Sequence, residues 1–290
     1  MLITGLKIIK YLLKSCDTFI VNFGPTEKNY YYPQMPFITL TTDWGTTDYF
    51  VGALKGDILT TCPEAQIIDI SHNVNAHDLV QGAFIMKNAW HHFPKGTVHI
   101  SGVSGTSAQP DPLIALTYKG HFFIGSDNGF FSLVFGAMAD EGYYILDSRG
   151  KKVIPHFPVL ASSAAYLAKG GKLEGMGEKI ISLTEKSLLQ PVTEEMTIRG
   201  SVIYIDTYGN LVTNIEKSLF ERIAKGRAYE IVLKTKDVIR EISNDYYQAG
   251  RGNLLALYNE AGFLEISINQ ANASDLIGMV YGDIVRIEFK

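Results

Sequence analysis

Leu40-Thr41-Thr42-Asp43-Trp44-Gly45-Thr46 follows the apolar, β-branched run Phe37-Ile38-Thr39-Leu40 and precedes a helical pattern starting at about Asp48. Strand, tight turn and helix in that order put Asp43 at the carboxyl end of a parallel strand, where open α/β sheets bind their ligands. Gly45 eases the turn. A carboxylate there is a good acceptor for a vicinal diol, such as the 2′ and 3′ hydroxyls of a ribose. It equally suits the N-cap of the following helix, and on position alone both readings stand.

Outward from this turn the chain alternates. Phe50, Val51, Leu54 and Ile58 form one helical face, and Pro63 follows the helix end. Gln66–Ile70 reads as a second strand, running into Asp69-Ile70-Ser71-His72-Asn73. Leu79, Val80, Ala83, Phe84, Met86 and Trp90 mark a second helix, and Thr97–Val103 is a third strand after Pro94-Lys95-Gly96. Such alternation implies right-handed parallel crossovers, so Asp43, His72 and Ser104 are expected along one edge of a mostly parallel sheet. A hairpin follows, Leu113–Tyr118 and His121–Ile124 across Lys119-Gly120. Then come the turn-rich Gly125-Ser126-Asp127-Asn128-Gly129, an apolar helix from Phe130, and a small-residue helix Ala161–Ala168 ending at Gly170-Gly171.

From about Met196 the pattern changes to short strands: Thr197–Asp206, Tyr229–Lys234, Val238–Ile242, Asn253–Tyr258, Phe263–Ile268 and Asp283–Phe289. Gly250-Arg251-Gly252, Ala261-Gly262 and Tyr281-Gly282 punctuate them. The fold class is therefore an α/β N-terminal domain with a mostly parallel sheet, followed by an all-β, barrel-like C-terminal domain. The expected organisation is an N-terminal extension over 1–35, the α/β domain over 36–190 and the β domain over 196–290, with a linker near Leu188–Glu195.

Hydrophobic residues make up 46% of the 290 and charged residues 19%, enough apolar material for two cores. A net charge of −4 gives no electrostatic case for nucleic acid. Cys16 and Cys62 have neither metal-ligand spacing nor a disulfide framework, which fits a cytoplasmic setting. Lys7, Lys10 and Lys14 interrupt the apolar start, so it reads as an amphipathic helix or a surface-packed extension, not as a signal peptide or membrane span. A metal hydrolase on Asp43, Asp69 and His72 is conceivable from the sheet edge, but no compact ligand motif supports it, and no metal or other cofactor is expected.

The motifs together resemble the S-adenosylmethionine hydroxide adenosyltransferase family, which includes the fluorinase and chlorinase. Thr42-Asp43-Trp44-Gly45 resembles its TDFG motif, and Asp69-Ile70-Ser71-His72 its DITH segment. Phe93-Pro94-Lys95-Gly96-Thr97-Val98 resembles FPKGTV, and Ser126-Asp127-Asn128-Gly129 resembles PDNG. The run Ile205-Asp206-Thr207-Tyr208-Gly209-Asn210-Leu211-Val212-Thr213-Asn214-Ile215 resembles IDxFGNLxTNI. Asn272-Ala273 and Gly282-Asp283 fall where NAA and GD belong. Each motif is modest; their order from Phe37 to the C-terminus is specific.

The resemblance implies a homotrimer that holds S-adenosylmethionine between the first domain of one subunit and the second domain of its neighbour. It also implies nucleophilic attack at C5′ of the ribose by water, hydroxide or halide. Methionine leaves as a neutral thioether, so the demand is placement and activation of the nucleophile. By resemblance Asp43, beside Trp44, takes the ribose diol and Asp206 the methionine ammonium. Tyr208 stacks near the adenine, Asn210 hydrogen-bonds it, and Asn272-Ala273 offers backbone groups to its edge. Asn259 stands in the segment that holds the methionine carboxylate.

The chain also departs from the pattern. The family's DPGVGxxRR loop aligns without a gap, putting Ser104 at the Asp position and Asp111 at the Arg position. This removes the preorganised field that favours hydroxide. His156 matches the histidine of FHGRDIFAP after a one-residue gap, so the catalytic candidates are His156, Ser104 and Asp111. Glu260 replaces a serine beside Asn259 and repels a ligand carboxylate if it points inward. Three readings follow: hydrolysis of S-adenosylmethionine to adenosine and methionine, binding of an adenosine-like ligand without turnover, or transfer to another nucleophile such as halide.

Overall fold

The computed structural model describes residues 35–106, 109–136 and 139–290. The expected extension lies, up to residue 34, outside the described residues. In chain order the first half contains β1 (Phe37–Thr42), α1 (Phe50–Thr61), β2 (Gln66–Ser71), α2 (Leu79–Ala89) and β3 (Val98–Gly102). It continues with β4 (Leu113–Tyr118), β5 (His121–Ser126), α3 (Phe130–Phe135), β6 (Glu141–Ile145), α4 (Phe157–Ala168) and β7 (Gly177–Lys179).

These strands form one seven-stranded sheet in the order β2-β1-β3-β5-β4-β6-β7. The β2-β1, β1-β3 and β3-β5 pairs are parallel, while β5-β4, β4-β6 and β6-β7 are antiparallel. The sheet is thus mixed, which corrects the expectation of a mostly parallel one. The Lys119-Gly120 hairpin turns β4 back beside β5, and β6 then joins the free edge of β4. Periodicity did not reveal β6 because it is short and carries Gly142 as its second residue; a Cβ there would come within 2.5 Å of Leu116 Cδ2. The parallel half keeps the expected register at its carboxyl edge, with Thr41 opposite Ser71 and Thr42 opposite Gly102.

Apolar layers cover both faces. One joins Ile38, Leu40, Ile100 and Ile124 to Leu54 and Ile58 of α1 and to Leu160 and Ala164 of α4. The small residues of α4 permit that close approach. The other joins Ala83 and Met86 of α2 to Phe123, Phe130 and Phe131.

The second half contains β8 (Val192–Glu194), β9 (Thr197–Ile205), β10 (Leu211–Glu216), α5 (Lys217–Ala224), β11 (Tyr229–Leu233), β12 (Val238–Ile239) and β13 (Ile242–Ser243). It ends with β14 (Leu254–Tyr258), β15 (Phe263–Ile268), α6 (Ala273–Ile277) and β16 (Ile284–Phe289). Its sheet runs β12-β11-β16-β9-β10-β15-β14-β13, with β8 beside β9. The run Val238–Ile242, read as one strand, breaks at Arg240-Glu241. Its first part pairs with β11 at one end of the sheet and its second part with β14 at the other. Two residues therefore join the two ends of the order, and the sheet curls into a nearly closed barrel around Ile198, Leu211, Ile231, Leu264 and Ile287. Phe84 of α2 stacks on Tyr204 of β9 at 4.6 Å between centroids, packing the first half against the barrel.

Among the described residues no helix is long and apolar enough to cross a membrane.

Candidate functional site

The carboxyl edge of the first sheet is organised around Asp43. Its Oδ2 accepts from the His77 amide at 3.0 Å and from the Ser104 amide at 3.2 Å. Two loops, one after β2 and one after β3, thus converge on one carboxylate oxygen, and neither bond uses the accepting capacity of Oδ1. His77 sits at φ +65°, a left-handed conformation uncommon outside glycine. Its ring Nδ1 lies 3.3 Å from the Ser104 carbonyl oxygen, tying the same two loops together. His77 carries no sequence signal of this role, because histidine marks no turn.

Trp44 lies over Gly102, where a Cβ would meet its ring at 2.6 Å. It also packs edge-on against Phe157 at 5.1 Å, bringing the start of α4 beside the Asp43 turn. His156 is the N-cap of α4, exposed, with its carbonyl accepting from Val159 and Leu160. Asp111 is half-buried, and its carboxylate approaches Gly105 in the Ser104 loop. Asn128 fixes this loop by donating to the Val103 carbonyl at 3.1 Å. Ser104 and Asp111 thus share the loop between β3 and β4, with the Ser104 backbone amide bound to Asp43, and His156 stands at the start of α4, next to the Phe157 that packs on Trp44.

The third strand end serves support. His72 Nδ1 lies 2.8 Å from Thr42 Oγ1, and the His72 carbonyl accepts from Gly45 at 2.7 Å. His72 Nε2 is 3.1 Å from Asp69 Oδ1 but off the line of a hydrogen bond, so that contact is electrostatic. Burial pulls the Asp69 carboxyl up, yet Lys55 at 2.6 Å and His72 outweigh it and hold the group below its ordinary value. Among the described residues, no three His, Cys, Asp or Glu side chains gather as metal ligands.

The second group of candidates lies on the barrel. A cavity of about 700 Å³ is lined by Asp206, Tyr208, Asn210, Tyr246, Tyr247, Ile268, Asn269, Gln270 and Ala271. Asp206 Oδ1 accepts from the Tyr208 and Asn210 amides at 2.9 Å, and Oδ2 accepts from Asn210 Nδ2 at 2.9 Å. The carboxylate thus builds its own strand-ending turn while lining the cavity. Tyr208 is largely exposed at the rim, and Asn210 is buried.

Asn272 and Ala273 are not among the lining residues. Asn272 caps α6 by accepting from Asp275 at 2.9 Å, and its side chain abuts Gly209, whose φ of +81° and lack of a Cβ allow the approach. Ala273 is fully buried behind it. Asn259 also lies off the lining. Its Oδ1 accepts from Phe263 at 3.1 Å and its amide donates to Glu265 at 3.3 Å, so both ends are used within the chain. Glu260 is exposed on the turn after β14.

Sequence reasoning missed Tyr246, Tyr247 and Glu265. The Glu265–Ser267 alternation in β15 reads as an outward polar face, yet every residue of that strand is buried. The lining belongs wholly to the barrel, and Asp43 is not part of it.

Comparison with known proteins matches both halves. Residues 38–177 match the SAM hydroxide adenosyltransferase N-terminal domain and residues 200–286 the corresponding C-terminal domain. The (R)-S-adenosyl-L-methionine hydrolase of Methanocaldococcus jannaschii is 30% identical over 270 residues, covering 87% of this chain and 96% of its own. A fluorinase of Nocardia brasiliensis is 25% identical, covering 87% and 97%. An uncharacterised conserved protein of Thermotoga maritima, solved by crystallography, superposes with a TM-score of 0.76 at 28% identity over 87% of this chain and 99% of its own. With both domains matched in order and the Asp43 and Asp206 turns in place, the chain belongs to the SAM hydroxide adenosyltransferase family.

Proposed function

We propose that the protein hydrolyses S-adenosylmethionine to adenosine and L-methionine, in a site that joins the Asp43 edge of one subunit to the barrel cavity of another. The observation that carries this reading is the Asp43 carboxylate, fixed by two backbone amides at a strand end and able to accept a ribose diol. The relatives named (R)-S-adenosyl-L-methionine hydrolase point to the same substrate. Water attacks C5′, the C5′–S bond breaks, and its electron pair returns to sulfur, giving methionine as a neutral thioether. The proton released by water passes to Asp111 or His156. Binding orients the diol, and the Trp44–Phe157 pair shields the turn.

A barrel cavity that Asp43 does not line supports a homotrimer with shared sites, each completed by a neighbour. The substrate itself supplies the activated carbon, so the proposal calls for no cofactor. Buried, free Cys62 suits a cytoplasmic protein.

A second reading is favoured by the altered loop. Ser104 and Asp111 stand where the family pattern has an Asp and an Arg, and the Asp111 carboxylate lies beside Gly105 in that loop. On this reading the protein holds an adenosine-like ligand without turnover, or transfers adenosyl to another nucleophile. Incubation with S-adenosylmethionine, with and without halide, separates the readings. Adenosine with equimolar methionine supports hydrolysis. A 5′-halo nucleoside supports transfer to halide. Adenosine binding with no product supports the binding protein.

A further inference from the structure

A smaller cavity, of about 270 Å³, opens on the barrel beside α5 and shares no lining residue with the one described above. Phe220, Tyr229, Ile242 and Tyr258 wall it, and Lys217 and Glu221 stand at it from the first two turns of α5. Phe220 meets Tyr229 edge-on at 5.0 Å between centroids and lies 6.1 Å from Tyr258. Tyr229 Oη accepts from the Ile242 amide at 3.1 Å, so its own proton is available. Tyr258 Oη is buried and has no hydrogen-bond partner among the described residues. Such an orphaned hydroxyl costs stability unless something supplies the missing bond. Burial, with Tyr229 and Glu221 nearby, holds the Tyr258 phenol above its ordinary value, so it remains a donor. Lys217 and Glu221 are exposed, and among the described residues neither takes part in an ion pair. Lys followed by Glu one turn later is the poorer order for a pair within a helix. One positive and one negative charge thus flank an apolar floor that carries an unsatisfied phenol.

This chemistry narrows the occupant. An anion meets Glu221 unfavourably and a cation meets Lys217 unfavourably, whereas a zwitterion satisfies both. Sites for drug-sized ligands run from roughly 300 to 1,000 Å³, so a cavity of about 270 Å³ suits a molecule smaller than a nucleoside. We infer that this cavity is a further binding site, for a free α-amino acid with an apolar side chain: its ammonium on Glu221, its carboxylate on Lys217 and Tyr258, and its side chain along Phe220 and Ile242. The site does not depend on the hydrolysis proposed above, and the methionine that reaction releases belongs to the same ligand class.

The test is calorimetric titration of the full chain with L-methionine and L-leucine, and with two methionine analogues that each lack one charge. Methylthiobutyrate lacks the ammonium and methylthiopropylamine lacks the carboxylate. Both amino acids should bind, and each analogue should bind at least about tenfold more weakly than L-methionine, the size of one lost charge-assisted hydrogen bond. Glu221→Gln and Lys217→Gln change exposed groups, so both should melt like the wild type while weakening L-methionine by about tenfold or more. In Glu221→Gln the gap between L-methionine and methylthiobutyrate should close, because the residue that reads the ammonium is gone. Tyr258→Phe removes the orphaned hydroxyl, so it should melt no lower than the wild type and still weaken L-methionine by roughly threefold or more. Failure of the wild-type chain to bind either amino acid overturns the inference. So does an L-methionine affinity unchanged in both Glu221→Gln and Lys217→Gln, which would put the amino acid in another cavity.

Discussion

The His77 amide donates to Oδ2 of Asp43 at 3.0 Å from a backbone held at φ +65°. A residue in the left-handed region thus orients the carboxylate proposed to receive the nucleoside. Residues kept in the left-handed region cost of order 1 kcal/mol or more, and they persist where the surroundings demand them.

This relationship predicts opposite results for two substitutions. His77→Gly keeps the amide and relieves the backbone, so stability should rise by about 1 kcal/mol, with adenosine affinity within roughly twofold of wild type. His77→Pro removes the donor and imposes a negative φ, so adenosine affinity should fall by more than about tenfold. Thermal melts and adenosine titrations check both. Equal affinity in the Pro variant would show that the amide does not orient Asp43.

On the proposed function Asp43 is the diol acceptor. Asp43→Ala should lose about 1.5–3 kcal/mol of nucleoside binding, roughly 10- to 150-fold in Kd, the range for hydrogen bonds to a charged acceptor. 2′-Deoxyadenosine should bind the wild-type chain more weakly than adenosine and should show little further loss in the variant. An Asp43→Ala chain that still discriminates between the two sugars would place the diol contact elsewhere.

Gly102 makes room for Trp44. In Gly102→Ala the new methyl would lie 2.6 Å from the Trp44 ring and 2.9 Å from Thr42 Cγ2, so the ring must move off its seat. The expected cost is about 1–3 kcal/mol of stability, the usual range for overpacking. Weaker adenosine binding should accompany it, read by urea melts and by titration. A variant as stable as wild type would mean that Trp44 repacks freely.

Acid should destabilise the first sheet through a buried histidine pair. His99 Nδ1 lies 2.7 Å from Thr39 Oγ1, and His99 Nε2 lies 3.2 Å from His121 Nδ1. Burial, with the neighbouring His121, lowers His99 to about 3 from its ordinary 6.5. Burial and Lys95 also lower His121. Between pH 6.5 and 3 the unfolded chain takes up a proton at His99 that the folded chain refuses. Stability should therefore fall with pH across that window by about 1.4 kcal/mol per unit for this residue. Urea midpoints at pH 7.5 and 5.5 read the effect, and His99→Phe should flatten the slope even if it lowers the plateau. A midpoint independent of pH across that interval in the wild-type chain would contradict the assignment.

Much of the Asp43 edge was legible because strand, turn and helix alternate there with clean periodicity and ligand-binding edges follow from parallel pairing. The antiparallel side of the same sheet was less so: β6 is short, carries Gly142 and owes its place to the free edge of β4. In the barrel the turn at Asp206-Thr207-Tyr208-Gly209-Asn210 stood out through its residue types. Glu265 and Tyr246 did not, because alternation cannot distinguish a polar face turned to water from one turned to buried hydroxyls. Asn259, Asn272 and Ala273 entered by resemblance, and in this chain they brace the turns behind the cavity. Their contacts run across strands, and no local pattern encodes them.

The proposed function turns on attack of water at C5′ of S-adenosylmethionine. The most direct measurement is incubation with S-adenosylmethionine in heavy-oxygen water, followed by mass spectrometry of the nucleoside product. Hydrolysis gives adenosine carrying one solvent oxygen at the 5′ position, together with equimolar methionine, and both products are lost in Asp43→Ala. Adenosine without the label, or unchanged S-adenosylmethionine after prolonged incubation of a chain that binds adenosine, would contradict it.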